Sequence, residues 1–142
     1  LFDEELRNDT VVTCTVMAND YGADAFIRVH ANGSDNPDTK GAIAIFQTSS
    51  NPWCGDLYAQ SRLLSETVLK HYCERSGIEN DGNWETDTMT GINWTRVPAT
   101  IIELGYMSNP DEDRLMATEE FHAAAAEGIA EGVDRYFEAA KD

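Results

Sequence analysis

Four short runs of β-branched and apolar residues, 11–15, 25–29, 42–46 and 99–104, are bounded by Gly, Asn or Asp and read as strands. A strand that is apolar at successive positions shows hydrophobic surface to both faces of its sheet, so it is stable only where both faces are covered. The segments beyond the third run have helical spacing. Over 55–75, Leu57, Leu64, Val68 and Tyr72 fall on one side, with Gly77 just past the end. Asn109-Pro110-Asp111-Glu112-Asp113 is a helix start, combining a capping asparagine, a first-turn proline and carboxylates at the positive end of the dipole. A last helix over 119–140 carries Phe121, Ala125, Ile129, Val133 and Phe137 as a stripe. Helices between buried strands predict an α/β fold: a three-layer α/β/α sandwich around a mostly parallel or mixed sheet, in a single domain.

The chain has 142 residues, the size of one domain with one core. Ten basic against 26 acidic residues leave a net charge of −16, which repels phosphate backbones and anionic lipid, so no nucleic acid partner is expected. No apolar run approaches the roughly 20 residues of a membrane span, and no membrane insertion is expected. The first residue is Leu1, with no basic region and apolar stretch after it, so the start reads as a cut. Cys14, Cys54 and Cys73 lack C-x-x-C spacing, which argues against a disulfide framework or a zinc ribbon. Cys14, within the run 11–15, is expected to be a small buried packing residue; Cys54 and Cys73 could pair.

Two segments carry chemistry. Phe26-Ile27-Arg28-Val29 leads directly into His30, followed by the small or turn-forming Ala31, Asn32 and Gly33, which places an imidazole at a strand end beside a cleft. Such a histidine is either a metal ligand or a hydrogen-bonded structural residue. In Ile101-Ile102-Glu103-Leu104, a carboxylate interrupts an otherwise apolar strand. Desolvation there raises its pKa towards the range useful for proton transfer, unless a buried salt bridge accounts for it. His71 and His122 fall in helices without matching partners and read as surface or boundary residues. A serine hydrolase is unsupported, because there is no G-x-S-x-G.

Taken together, Phe26 to Asn32 with Gly33-Ser34, and Val97-Pro98-Ala99-Thr100-Ile101-Ile102-Glu103-Leu104-Gly105-Tyr106-Met107-Ser108-Asn109, resemble the zinc-dependent N-acetylmuramoyl-L-alanine amidases of the Amidase_3 type. Ala18-Asn19-Asp20, Gly22-Ala23-Asp24, Gly41 and Arg114-Leu115-Met116 fit the flanking pattern. The resemblance implies a secreted or phage-released peptidoglycan hydrolase of the cell envelope. It would be a monomer that cleaves the amide between N-acetylmuramic acid and L-alanine of the stem peptide. It implies Zn²⁺ as cofactor, His30 as a zinc ligand, Glu103 as the catalytic glutamate and a muramyl peptide as partner. Asn32 and Ser108 read as loop-shaping.

The family pattern also has a histidine in a D-x-G-H-G-G segment after the first strand and a glutamate early in the first helix, both zinc ligands, and neither motif occurs here. The expectation is therefore an amidase catalytic domain over 1–142 that lacks its first strand and the start of its first helix. With 11–15 taken as the next strand, Glu4 and Glu5 fall too far along that helix to replace the missing ligands, and the connection from residue 15 to 18 is unusually short. The alternative is a non-catalytic, degenerate module that binds peptidoglycan or regulates a partner.

Overall fold

A computed structural model describes residues 10–141. The order of elements is α1 (Thr10–Tyr21), β1 (Phe26–Asn32), β2 (Ala42–Phe46), a 3-10 turn (Gly55–Leu57) running into α2 (Tyr58–Ser76), β3 (Asn80–Glu85), α3 (Thr90–Asn93), β4 (Ala99–Tyr106), α4 (Pro110–Met116) and α5 (Glu119–Ala139). The four strands lie in the order β1-β4-β2-β3. β1 runs parallel to β4 and β2 parallel to β3, while β2 and β4 are antiparallel, which makes the sheet mixed. The last strand in sequence is thus paired on both sides, and its apolar residues Ala99, Ile101 and Ile102 are buried.

Alternation along β4 sorts side chains between the two faces. Ile102 and Leu104 join Ala42, Ala44, Leu64, Val68, Leu69 and Tyr72 in the main core beneath α2 and α5. Thr100 lies on the same face, where Ser65 Oγ donates to its Oγ1 at 2.7 Å. Ile101 turns the other way, to a smaller cluster with Ile45 and Ile92 that Ile43 and Met89 flank. α1 joins this second layer through Thr15 Oγ1, which donates to the Gly91 carbonyl at 3.0 Å. The sheet is therefore flanked by helices on both faces, as the alternation predicts.

Two local expectations fail. Residues 11–15 are helical, inside α1, because a short apolar run is compatible with a strand or a helix turn and only its packing partners decide. Cys14 is consequently exposed rather than buried, and 15–18 is uninterrupted helix rather than a shortened loop. Glu4 and Glu5 lie outside the described residues, and the register that put them beyond reach of a metal loses its basis. Cys54 and Cys73 are both free thiols, Cys54 buried in the fold.

Sequence reading also misses β3, Asn80-Asp81-Gly82-Asn83-Trp84-Glu85, whose composition disfavours strands. It lies at the sheet edge, mostly exposed, and its backbone pairing with β2 holds it there. β1 is the other edge of the described sheet, and Val29 is 51% exposed rather than buried on both faces.

Both long helices form where expected. α2 ends on Gly77 at φ 77°, a left-handed conformation that glycine adopts without a Cβ penalty, and the Gly77 N–H closes the helix onto the Cys73 carbonyl. The deeply buried face of α5 is Phe121, Ala125, Gly128, Gly132 and Tyr136, while Ile129, Val133 and Phe137 pack at its margin. Successive steps of four residues overshoot the 3.6-residue turn, so the expected stripe drifts off the contact line. The two glycines bring the backbones together: a Cβ on Gly132 would stand 2.5 Å from Val68 Cα, and one on Gly128 2.8 Å from the His71 carbonyl oxygen.

Candidate active site

Parallel pairing of β1 with β4 sets His30 directly opposite Glu103. Neighbouring strands are about 4.8 Å apart, so both side chains rise from adjacent positions on one face of the sheet. β1 continues to Asn32, which puts His30 inside the strand rather than just beyond it. Arg28 lies two residues before His30 on the same face. Arg28, His30, Ile101 and Glu103 form one side of a cleft of about 330 Å³, and Met89, Thr90 and Gly91, at the start of α3, form the other.

The Glu103 carboxylate is partly buried, and its Oε2 has no hydrogen-bond partner among the described residues. Among the described residues no ion pair involves Glu103. Burial pushes its pKa above the ordinary glutamate value, and the Arg28 charge opposes that rise. Burial, and secondarily Arg28, lowers the His30 pKa. The pair therefore presents a neutral imidazole, with a nitrogen lone pair to offer, beside a carboxylate of increased basicity. Arg28 went unnoticed in the sequence, although strand alternation from His30 places it on this face.

The strand ends around the pair are held by polar contacts. Between His30 and Asn32 the register slips by one residue, so that Asn32 pairs with Tyr106. At this bulge the buried Glu112 carboxylate accepts hydrogen bonds from the Tyr106 N–H at 2.7 Å and the Gly41 N–H at 2.8 Å, linking the end of β4 to the entrance of β2. A Cβ on Gly105 would come within 3.0 Å of Glu112 Oε2, a tight contact to which the carboxylate would have to yield. Asn109 caps α4, its side chain accepting from the Asp111 and Glu112 N–H groups, which aims Glu112 back at the strand. The Ser34 N–H donates to Ser108 Oγ, and the Met107 N–H to the Asn32 carbonyl, so Ser108 and Asn32 do shape the loops beyond the strands.

The other histidines stand apart from this cleft. His71 packs between Glu74 and Glu131 on the α2–α5 side, and His122 hydrogen-bonds through Nε2 to the Met116 carbonyl. Among the described residues no three His, Cys, Asp or Glu side chains are grouped to hold a metal ion. His30 and Glu103 supply two donors, one fewer than the protein ligands of a catalytic zinc. The described residues alone do not make a zinc site.

The family model described as N-acetylmuramoyl-L-alanine amidase, Amidase_3, matches residues 3–135. The chain belongs to this family. It is 27% identical to the N-acetylmuramoyl-L-alanine amidase AmiA of Escherichia coli, covering 85% of this chain and 54% of AmiA. It is 30% identical to the probable cell wall amidase LytH of Staphylococcus saprophyticus, covering 92% of this chain and 40% of LytH. The chain thus spans about half the length of these relatives. Among solved structures, the catalytic domain of CwlV, the amidase of Bacillus (Paenibacillus) polymyxa var. colistinus, superposes with a TM-score of 0.75 at 26% identity, covering 87% of this chain and 63% of that one. In this Amidase_3 chain, the two motifs that carry the resemblance are the strands placed side by side at the cleft.

Proposed function

We propose that this chain is a peptidoglycan hydrolase of the cell envelope, secreted or phage-released and monomeric, that cleaves the amide between N-acetylmuramic acid and L-alanine. The observation that carries the proposal is the register of β1 against β4, which places His30 and Glu103 abreast at one cleft in an Amidase_3 chain. Glu103 is the proton-transfer residue. It takes a proton from water as the water oxygen attacks the lactyl carbonyl, and returns it to the alanine nitrogen as the C–N bond breaks. The products are a muramic acid carboxylate and a free amine.

His30 is proposed as one ligand of Zn²⁺, which would polarise the scissile carbonyl; the remaining ligands come from outside the described residues. No described residue takes their place, and that observation favours a second reading, a non-catalytic module that keeps the fold and binds peptidoglycan. The two are separated by incubating the 142-residue chain with purified sacculi and Zn²⁺ and counting newly exposed N-terminal alanine. Release that Glu103→Gln lowers about 10²- to 10⁴-fold supports the hydrolase. Sedimentation with sacculi but no release supports the binding module.

A further inference from the structure

A second cleft, of about 460 Å³, lies between the loop after β2 and the connection from α3 to β4, lined by Trp53, Asn93, Trp94, Thr95 and Arg96. Two of these are large apolar side chains held in water, Trp53 at 67% and Trp94 at 50% exposure. Among the described residues neither indole stacks on another ring, and neither indole N–H has a hydrogen-bond partner. Their exposure is not that of slack loops. Asn51, 6% exposed, donates through Nδ2 to Asp87 Oδ1 and Asn93 Oδ1, each at 2.8 Å, and accepts through Oδ1 from the Trp53 N–H at 2.9 Å and the Cys54 N–H at 3.1 Å. On the opposite side, Asn19 of α1 donates to the Trp94 carbonyl and accepts from the Arg96 N–H, each at 2.8 Å. One buried asparagine and one helical asparagine therefore lock the backbone that carries both indoles and the arginine.

The charge of the cleft runs against that of the molecule. None of its five lining residues is acidic, and the Arg96 guanidinium makes no ion pair among the described residues, on a chain of net charge −16. A fixed indole offers an apolar, electron-rich face on which the C–H face of a sugar ring can lie, and the free indole N–H groups can meet its hydroxyls. A guanidinium offers a planar fork for a carboxylate.

We propose that the Trp53–Trp94–Arg96 cleft is a saccharide subsite that takes a carboxylate-bearing amino sugar, its ring on the indoles and its carboxylate on Arg96. This deepens the hydrolase reading and rests on it for the identity of the polymer. Hydrolysis of the muramoyl amide leaves a carboxylate on the sugar, so the subsite would favour glycan already stripped of its stem peptide.

The test is titration of the 142-residue chain with N-acetylmuramic acid and, separately, with N-acetylglucosamine, which has the same ring without the lactyl carboxylate. The indole N–H resonances of Trp53, Trp84 and Trp94 are followed by NMR. Trp84, exposed on β3, reports non-specific effects and the integrity of the fold. Saturable shifts of Trp53 and Trp94, with Trp84 unmoved, are expected. Arg96→Ala should weaken N-acetylmuramic acid about tenfold, as loss of one charge-assisted contact does, and leave N-acetylglucosamine unchanged, while Arg96→Lys recovers part of the loss. Trp94→Ala should abolish the Trp53 shift with either sugar.

The proposal is overturned by equal affinity for the two sugars, by parallel movement of Trp84, or by no shift at about 20 mM sugar, well above a millimolar Kd. It is also overturned if Trp53 and Trp94 move with protein concentration alone, because a second copy of the chain would then be the occupant. Alanine release without sugar binding would refute the subsite and leave the hydrolase standing. Sugar binding without release would do the reverse.

Discussion

Glu103 shows how one residue joins function to a stability cost. Its Oε2 is buried without a partner among the described residues and its pKa is raised by desolvation, so the charged form is less stable in the fold than in the unfolded chain. Glu103→Gln removes that charge while keeping the shape. The expected outcome at neutral pH is a higher midpoint in chemical denaturation together with loss of alanine release; a lower midpoint would mean that the carboxylate has a stabilising partner. Asp87 is the opposite case. The Thr48 hydroxyl, then the Thr48 N–H and the Asn51 side chain, hold its pKa below the ordinary 3.8. For a carboxylate lowered in the fold, the unfolded state binds more protons as acid is added, so its contribution is complete above the ordinary value and is lost as pH falls through the folded one. Denaturation of the protein and of Asp87→Asn should accordingly differ most near neutrality, and the gap should narrow below about pH 4. A gap independent of pH would remove ionisation from the account of that loop.

At the scale of elements, the contact between α2 and α5 is decided by what is missing from two glycines. Gly132→Ala puts a methyl group 2.5 Å from Val68 Cα, a backbone atom that cannot step aside, so the helices must separate. The expected loss is about 1–3 kcal/mol, the range of overpacked cores, read from equilibrium unfolding. Alanine is the better helix former, so a neutral or stabilising result would show that the interface yields easily. At the other end of the sheet, Asn109→Ala removes the side chain that accepts from the Asp111 and Glu112 N–H groups. It should cost about 1 kcal/mol and reduce alanine release as well, because α4 directs Glu112 onto the strand that carries Glu103. Loss of stability with activity intact would mean that the Tyr106 and Gly41 contacts position nothing catalytic.

For the whole molecule, charge is the dominant long-range term. A net charge of −16 on 142 residues repels itself in the folded state, and salt screens that repulsion over about 10 Å at 0.1 M. The melting temperature should therefore rise between low and moderate sodium chloride; a fall would show that the surface ion pairs, such as Arg75 with Glu131, outweigh the general repulsion.

What the sequence determined by itself is whatever depends on neighbours along the chain. The cap at Asn109, the glycine end of α2, the existence of the two long helices and the three strands around 25–29, 42–46 and 99–104 follow from short-range sterics, capping and periodicity. His30 and Glu103 could likewise be singled out, because each is an anomalous polar residue in an apolar context. Tertiary structure decided what depends on partners distant in sequence. Residues 11–15 became a helix turn, and the polar segment Asn80–Glu85 became an edge strand, because packing and ladder hydrogen bonds outweigh weak local preference. The pairing of β1 with β4 in one particular register brought His30 and Glu103 abreast and added Arg28 to their face. Residues distant in sequence share a site only when the sheet's hydrogen bonds choose that register, and no local pattern in either strand specifies the other.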